Sequence, residues 1–272
     1  MNKILLVTVT KVEAQAVLRL FKQATGRAWE RLHLGDKTYY SAGEIGGAEV
    51  LMTQSEMGTS GPGAALLTVH KGIEDLAPAA VIMVGIAFGV NPEKQQLGEI
   101  LVSRQIQAYE AQKVKGKKLI PRGDRVAAST RLLDRFRSAD LDWPGAKVHF
   151  GLVLSGEKLI ADEAFRDRLL KLEPEAIGGE MEGAGLYAAA SDARVDWILV
   201  KAICDWADGN KNDGAQSQAA ENAAGFVLYT LQQGGWDAFS AAAVQGEGEI
   251  IQQTAGDNSI QIGKARDVHI HR

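Results

Sequence analysis

Compact apolar runs alternate with stretches in which apolar residues recur every three or four positions, so strands and helices are expected to take turns along the chain. Residues 3–9 form a β-rich apolar run, and a helix with Val12, Ala16, Val17, Leu20 and Phe21 on one face follows. Residues 38–43 and 48–54 flank Glu44-Ile45-Gly46-Gly47 and read as a hairpin. Residues 79–85 are continuously apolar, as in a strand covered on both faces. Residues 99–108 and 148–155 read as further strands, and 131–137, 162–172 and 216–232 as helices, with Asp162 an N-cap. The basic segment 113–118 reads as a solvated loop or flap.

The pattern is densest from Ile177 to Gly209. A short strand ends in Glu180-Met181-Glu182, a small-residue helix follows, and residues 197–203 form a buried strand leading to a loop with Asp205 and Asp208. Glu182 then sits where strand gives way to helix, and Asp205 just past a strand end. Ligands of open α/β sheets bind outside the carboxyl ends of the strands, so the two acids can face one pocket. The plainer alternatives are an acid at a helix N-terminus for Glu182 and an Asx-turn acid for Asp205.

Two glycine-rich stretches could let a ligand approach the backbone. Met57-Gly58-Thr59-Ser60-Gly61-Pro62-Gly63 precedes a helix and could present N–H groups to an anion or a ribose hydroxyl, although it is no Walker motif. A tight turn is the alternative. Gly85-Ile86-Ala87-Phe88-Gly89 ends the central apolar strand with small residues.

Beyond about residue 238 the character changes. Residues 241–249 are small and Gly-rich, and 250–253, 259–263 and 268–272 alternate apolar with polar. So short a β-like segment needs a partner, either a groove on its own domain, a neighbouring subunit or another protein; a disordered terminus is the alternative. The chain therefore divides into a domain over 1–238 and a tail over 239–272. His269 and His271 share a face of that tail and read as a solvent-facing pair rather than a metal site.

Composition narrows the class. A net charge of −4 without a basic block argues against duplex nucleic acid as partner. The lone Cys204 permits no intrachain disulfide framework and no cysteine cluster for zinc. Neither a metal nor a cofactor is expected. The longest apolar run, residues 79–90, is too short to cross a bilayer, and the N-terminus meets Glu13 too early for a signal peptide. A cytoplasmic protein without membrane attachment is the expectation.

The motifs, in order over about residues 3–235, resemble the nucleoside phosphorylase superfamily, and within it the methylthioadenosine/S-adenosylhomocysteine nucleosidases. They are the first strand with a downstream Glu, the 57–63 loop, Gly85–Gly89 with Leu97-Gly98-Glu99-Ile100-Leu101-Val102, Leu154-Ser155-Gly156-Glu157, Glu180-Met181-Glu182-Gly183-Ala184 and Cys204-Asp205-Trp206-Ala207-Asp208. The resemblance implies a three-layer α/β/α sandwich around a mixed sheet, a homo-oligomer of at least two copies, and cleavage of a purine N-glycosidic bond. Asp205 then matches the acid that protonates N7 of the departing base, and Glu182 the carboxylate that holds the ribose hydroxyls and faces the oxocarbenium-like centre, a division of labour like that in glycoside hydrolysis. Met181 packs against the ribose, beside Glu180. Glu13, rather than Ala14, matches the Glu that activates water, with an exposed first-turn helix acid as the alternative. An acid at N7 must keep its proton near pH 7, which requires burial or a like charge nearby.

Two departures bear on the substrate. Lys158-Leu159 stands where the methylthioadenosine enzymes stack an aromatic on the purine. Leu159 can still offer an apolar face, and Lys158 suggests a charged 5′ group, as in AMP or ATP; Arg104, Arg122 and Arg125 are further candidates for that group. The tail is the second departure, and nucleosidase modules with regulatory tails occur as effectors in bacterial defence. Superfamily phosphorylases bring arginines to their phosphate, whereas Met83-Val84-Gly85 has none, which favours water as acceptor. A phosphorylase and a catalytically silent nucleotide sensor remain the competing readings.

Overall fold

The computed structural model describes residues 1–116, 118–209 and 213–239. These belong to one compact unit spanning Met1–Ala241. The tail expected over 239–272 lies outside the described residues apart from Phe239, as does Lys117 of the basic segment.

In chain order the elements are β1 (Asn2–Thr8), α1 (Lys11–Thr25), β2 (Glu30–Leu34), β3 (Lys37–Ile45), β4 (Ala48–Gln54), α2 (Ala65–Leu76), β5 (Ala80–Gly89) and β6 (Ile100–Ala108). They continue as β7 (Gln112–Lys115), β8 (Lys118–Pro121), β9 (Arg125–Ala127), α3 (Thr130–Asp140), β10 (Val148–Ser155), α4 (Glu163–Leu172), β11 (Ala176–Glu180), α5 (Gly183–Asp192), β12 (Asp196–Asp205) and α6 (Asp213–Gln232). The main sheet runs β11-β10-β6-β12-β5-β1-β4-β3-β2, with β9 on β6. Strands β4, β1, β5 and β12 are parallel neighbours, whereas β6 runs antiparallel to β12. The far half of the sheet curls back until β11 meets β5 antiparallel through Gly178–Gly89 and Gly179–Phe88. That closure brings the end of β11 against the end of β5.

Helices α1 and α6 pack on each other, with α6 against β5 and β12; α2 and α5 pack together against β1 and β12. The result is the expected α/β/α sandwich with a mixed sheet. Because helices cover the central strands, Ile4–Val7 of β1, Val81–Met83 of β5 and Ile198–Val200 of β12 are wholly buried. At roughly 25 cal/mol per Å² of apolar surface removed from water, this layer is the main source of stability.

The β3–β4 hairpin forms around Ile45–Ala48 as expected. The basic segment expected as a loop or flap contributes instead to an antiparallel hairpin, β7–β8, separate from the main sheet. No described helix is long and apolar enough to cross a membrane.

Candidate active site

Parallel β1, β5 and β12 end at the same edge of the sheet, and α5 begins beside them. At Cys204 the pairing of β12 with β5 slips: Ile203 faces Ala87 and Asp205 faces Phe88, which leaves Cys204 unpaired. Such a bulge re-aims side chains at a strand end. Here it directs Asp205 into a cavity of about 290 Å³. The same cavity is lined by Glu13, Ala87, Phe88, Lys158, Leu159, Glu180, Met181 and Glu182. Gly58 does not line it, but its N–H donates to Glu182 Oε1 at 3.1 Å.

Glu13 is held most tightly. It is the third residue of α1 in a capping box with Thr10. Its Oε2 accepts N–H bonds from Val9 (2.8 Å) and Thr10 (2.7 Å), and its Oε1 accepts one from Ile86 (2.8 Å). Only 2% of Glu13 is exposed, so it is a buried cap rather than a solvated helix acid. Gly85 makes room for it, since a Cβ there would lie 2.0 Å from Glu13 Oε1.

Lys201, on β12, was not singled out from the sequence. It is 1% exposed, and its Nζ lies 3.6 Å from Glu13 Oε1 and 3.4 Å from Glu182 Oε2. Burial alone would favour the neutral amine, but Glu13, Glu182 and Glu180 outweigh it and hold the ammonium above the ordinary lysine range. The available signal was a lone lysine inside the otherwise apolar run Trp197–Cys204.

Glu180 accepts N–H bonds from Glu182 (2.8 Å) and Gly183 (3.0 and 2.9 Å), so its carboxylate organises the turn that presents Met181 and Glu182. Burial, with the charge of Glu182 added, pushes the Glu180 carboxyl up to about 7, against the pull of Lys201 and the backbone. Three buried carboxylates thus share one ammonium, and the floor of the cavity carries excess negative charge. Such a floor favours a cationic sugar centre and repels an anionic nucleophile.

Asp205 differs from these acids in being only half-buried. Its Oδ1 accepts the Ala207 N–H at 2.8 Å, closing an Asx turn, and its Oδ2 accepts the Cys204 thiol at 3.2 Å. Both the turn and the cavity position are therefore present together. Ala207 is left-handed at φ 56°, and Arg166 of α4 holds the adjacent Trp206 carbonyl at 2.7 Å.

The mouth is less polar. Phe88 and Ile160 are buried, while Leu159 is 58% and Met57 53% exposed. Lys158 pairs with Glu110, and Glu157 bridges to the 57–63 loop through the Thr59 N–H (3.0 Å) and the Ser60 hydroxyl (2.7 Å). Of the loop N–H groups that could meet an anion or a ribose hydroxyl, those of Gly58 and Thr59 are thus taken by carboxylates of the protein itself. Arg104 and Arg125 line a different groove, Arg125 pairing there with Glu173 and Glu175. Neither they nor Arg122 are among the described residues around the cavity. Met57 and Ile86, from the two glycine-rich stretches, line it as well, and Val9, Thr10, Ile160, Gly179, Cys204 and Gln216 complete the lining without having been expected there.

A model described as the phosphorylase superfamily matches residues 3–232. The chain belongs to that superfamily. Among superfamily relatives, a death domain-containing ATP nucleosidase of Amphimedon queenslandica is 31% identical over 263 residues, covering 84% of this chain and 48% of its own length. The ATP nucleosidase Cap17 of Escherichia coli is 30% identical over 190 residues, covering 60% of this chain and 37% of its own. This chain therefore spans less than half the length of these two curated relatives. A 5′-methylthioadenosine/S-adenosylhomocysteine nucleosidase of Desulfotalea psychrophila is 28% identical, covering 72% and 82%. The solved Neisseria meningitidis enzyme of that name, in complex with methylthio-immucillin-A, superposes with a TM-score of 0.72 at 20% identity, over 86% of this chain and all of that one. That likeness establishes the superfamily fold.

Proposed function

We propose that this chain hydrolyses the N-glycosidic bond of an adenine nucleoside or nucleotide, with Asp205 as acid to the base. The observation that carries the reading is one cavity lined by Asp205 together with Glu13, Glu180 and Glu182. As the C1′–N9 bond breaks, its electron pair moves into the base and N7 takes the proton of Asp205. The sugar becomes cationic, Glu182 holds its hydroxyls, and Met181 packs on its face. Water adds to C1′ and gives its proton to Glu13. The base lies between Phe88 and Leu159.

Water is a better acceptor than phosphate at this floor, because the acids there would repel a phosphate ion. The described cationic side chain lining the cavity is Lys158, at the mouth. A 5′-phosphate directed outward meets Lys158 once it leaves Glu110. That placement, with the ATP nucleosidase names of two relatives, makes ATP the first candidate substrate and depletion of the nucleotide pool, as in a defence effector, the corresponding role.

The panel that tests this is adenine release from ATP, AMP, adenosine, methylthioadenosine and inosine, with and without phosphate. Phosphate-independent release from the adenine compounds supports the reading. Strict dependence on phosphate establishes a phosphorylase, and tight binding without product a sensor.

The exposed Met57 and Leu159 at the mouth favour a homo-oligomer in which a neighbouring copy covers them. For residues 239–272, the alternating sequence favours a segment that contacts a neighbouring subunit or another protein. Light scattering of the chain with and without those residues tests both proposals. A monomer in both cases contradicts them.

A further inference from the structure

A groove of about 560 Å³, larger than the cavity that holds Asp205, takes no part in the mechanism. It is lined from α3, β6, β9 and β10 and shares no residue with that cavity. Three exposed arginines, Arg104, Arg125 and Arg137, line it beside an apolar patch of Leu133, Phe150, Leu152 and Ile177.

The ladder between β6 and β10 slips here. Ser103 pairs with Gly151 and Gln105 with Leu152, which leaves Arg104 as an extra residue. Consecutive residues of a regular strand point to opposite faces, yet Arg104 and Gln105 both line the groove. The bulge is what turns Arg104 into it. Its guanidinium makes no ion pair or hydrogen bond with a described residue. Arg137, from α3, has no carboxylate partner among the described residues and lies 5.8 Å from the ring centroid of Phe150. Arg125 differs, being held by Gln105 at 2.9 Å, Glu175 at 2.6 Å and Glu173 at 3.8 Å. Arg104 and Arg137 are therefore the cations open to a ligand, and both stand next to β10.

We infer that this groove is a second ligand site that binds a nucleotide, its phosphates on Arg104 and Arg137 and its base on the apolar patch around Phe150. A guanidinium presents its donors as a fork that matches phosphate oxygens. The volume falls within the range of roughly 300–1,000 Å³ usual for small-molecule sites. A bare phosphate would leave Phe150 and Ile177 uncovered. A row of carboxylates, as on an acidic peptide, would be repelled by Glu175 on the Arg125 side. A nucleotide carries its charge at one end and a flat, weakly polar ring at the other, which suits both halves of the groove.

The test is a calorimetric titration of ADP into Asp205→Asn, in which the nucleotide is not consumed, and into the same chain carrying Arg104→Gln with Arg137→Gln, or Lys158→Gln. The expected result is a binding event that the two arginine changes weaken about tenfold or more and that Lys158→Gln leaves in place. Inorganic pyrophosphate has no glycosidic bond and is titrated into wild type, where it should bind more weakly than ADP and lose affinity with the same two arginines. Adenine release from methylthioadenosine, which carries no phosphate, should be the same in Arg104→Gln/Arg137→Gln as in wild type. Binding of either probe unchanged by the arginine changes overturns the inference. So does pyrophosphate binding as tightly as ADP, tighter binding of a hexaglutamate peptide, or loss of adenine release in the double variant. Failure of wild type to release adenine from any compound would sink the hydrolase reading alone, because the titrations do not depend on turnover.

Discussion

Nζ of Lys201 lies 3.4 Å from Oε2 of Glu182, and neither side chain is open to solvent. The lysine also faces Glu13 at 3.6 Å. It thus links the carboxylate assigned to the ribose with the one assigned to water. A buried ion pair adds little net stability over apolar packing, but removing one partner leaves the other charge stranded.

Lys201→Met is therefore expected to cost about 3–5 kcal/mol of folding stability and most of the activity. Urea denaturation measures the first and adenine release the second. A variant as stable as wild type would show that the two glutamates do not need the ammonium.

Glu180 makes stability depend on pH. Its folded pKa of about 7 is above the ordinary carboxyl value, so the folded protein binds this proton more tightly than the unfolded chain. Its contribution is then most favourable at low pH and is lost as pH rises toward and through about 7. Between pH 5 and 8 the melting temperature of Glu180→Gln should gain on that of wild type, because the variant has no such proton to lose. An unchanged difference across that range would contradict the assignment.

Gly85 has no side chain where Glu13 needs space. A Cβ there would sit 2.0 Å from Glu13 Oε1, inside any van der Waals contact. Gly85→Ala should displace the carboxylate from the Ile86 N–H and reduce kcat by about 10²-fold or more, with KM changed far less. Steady-state kinetics on a variant with a wild-type circular dichroism spectrum checks this.

Much of this arrangement is legible in the amino-acid sequence. The apolar runs that become β1, β5 and β12 are covered on both faces, so burial is written into consecutive residues. Asp205 and Glu182 stand out because each lies at or just past the end of a strand. β2 was not expected: four of its five residues are exposed, and an edge strand needs no apolar alternation. The β7–β8 hairpin, where Val114 and Ile120 are exposed, escaped for the same reason. The burial of Glu13 depends on Ile86 and Gly85, more than seventy positions away, and no local pattern reports such a contact. Lys201 is the opposite case. Its setting was visible, but its partners were not.

The most direct test of the central claim is adenine release without phosphate by wild type and Asp205→Asn, using ATP, AMP and methylthioadenosine. Wild type is predicted to release adenine from at least one of them, and the variant to lose 10²- to 10⁴-fold, the range typical of a general acid. Full activity in the variant, or no release by wild type, would contradict the account.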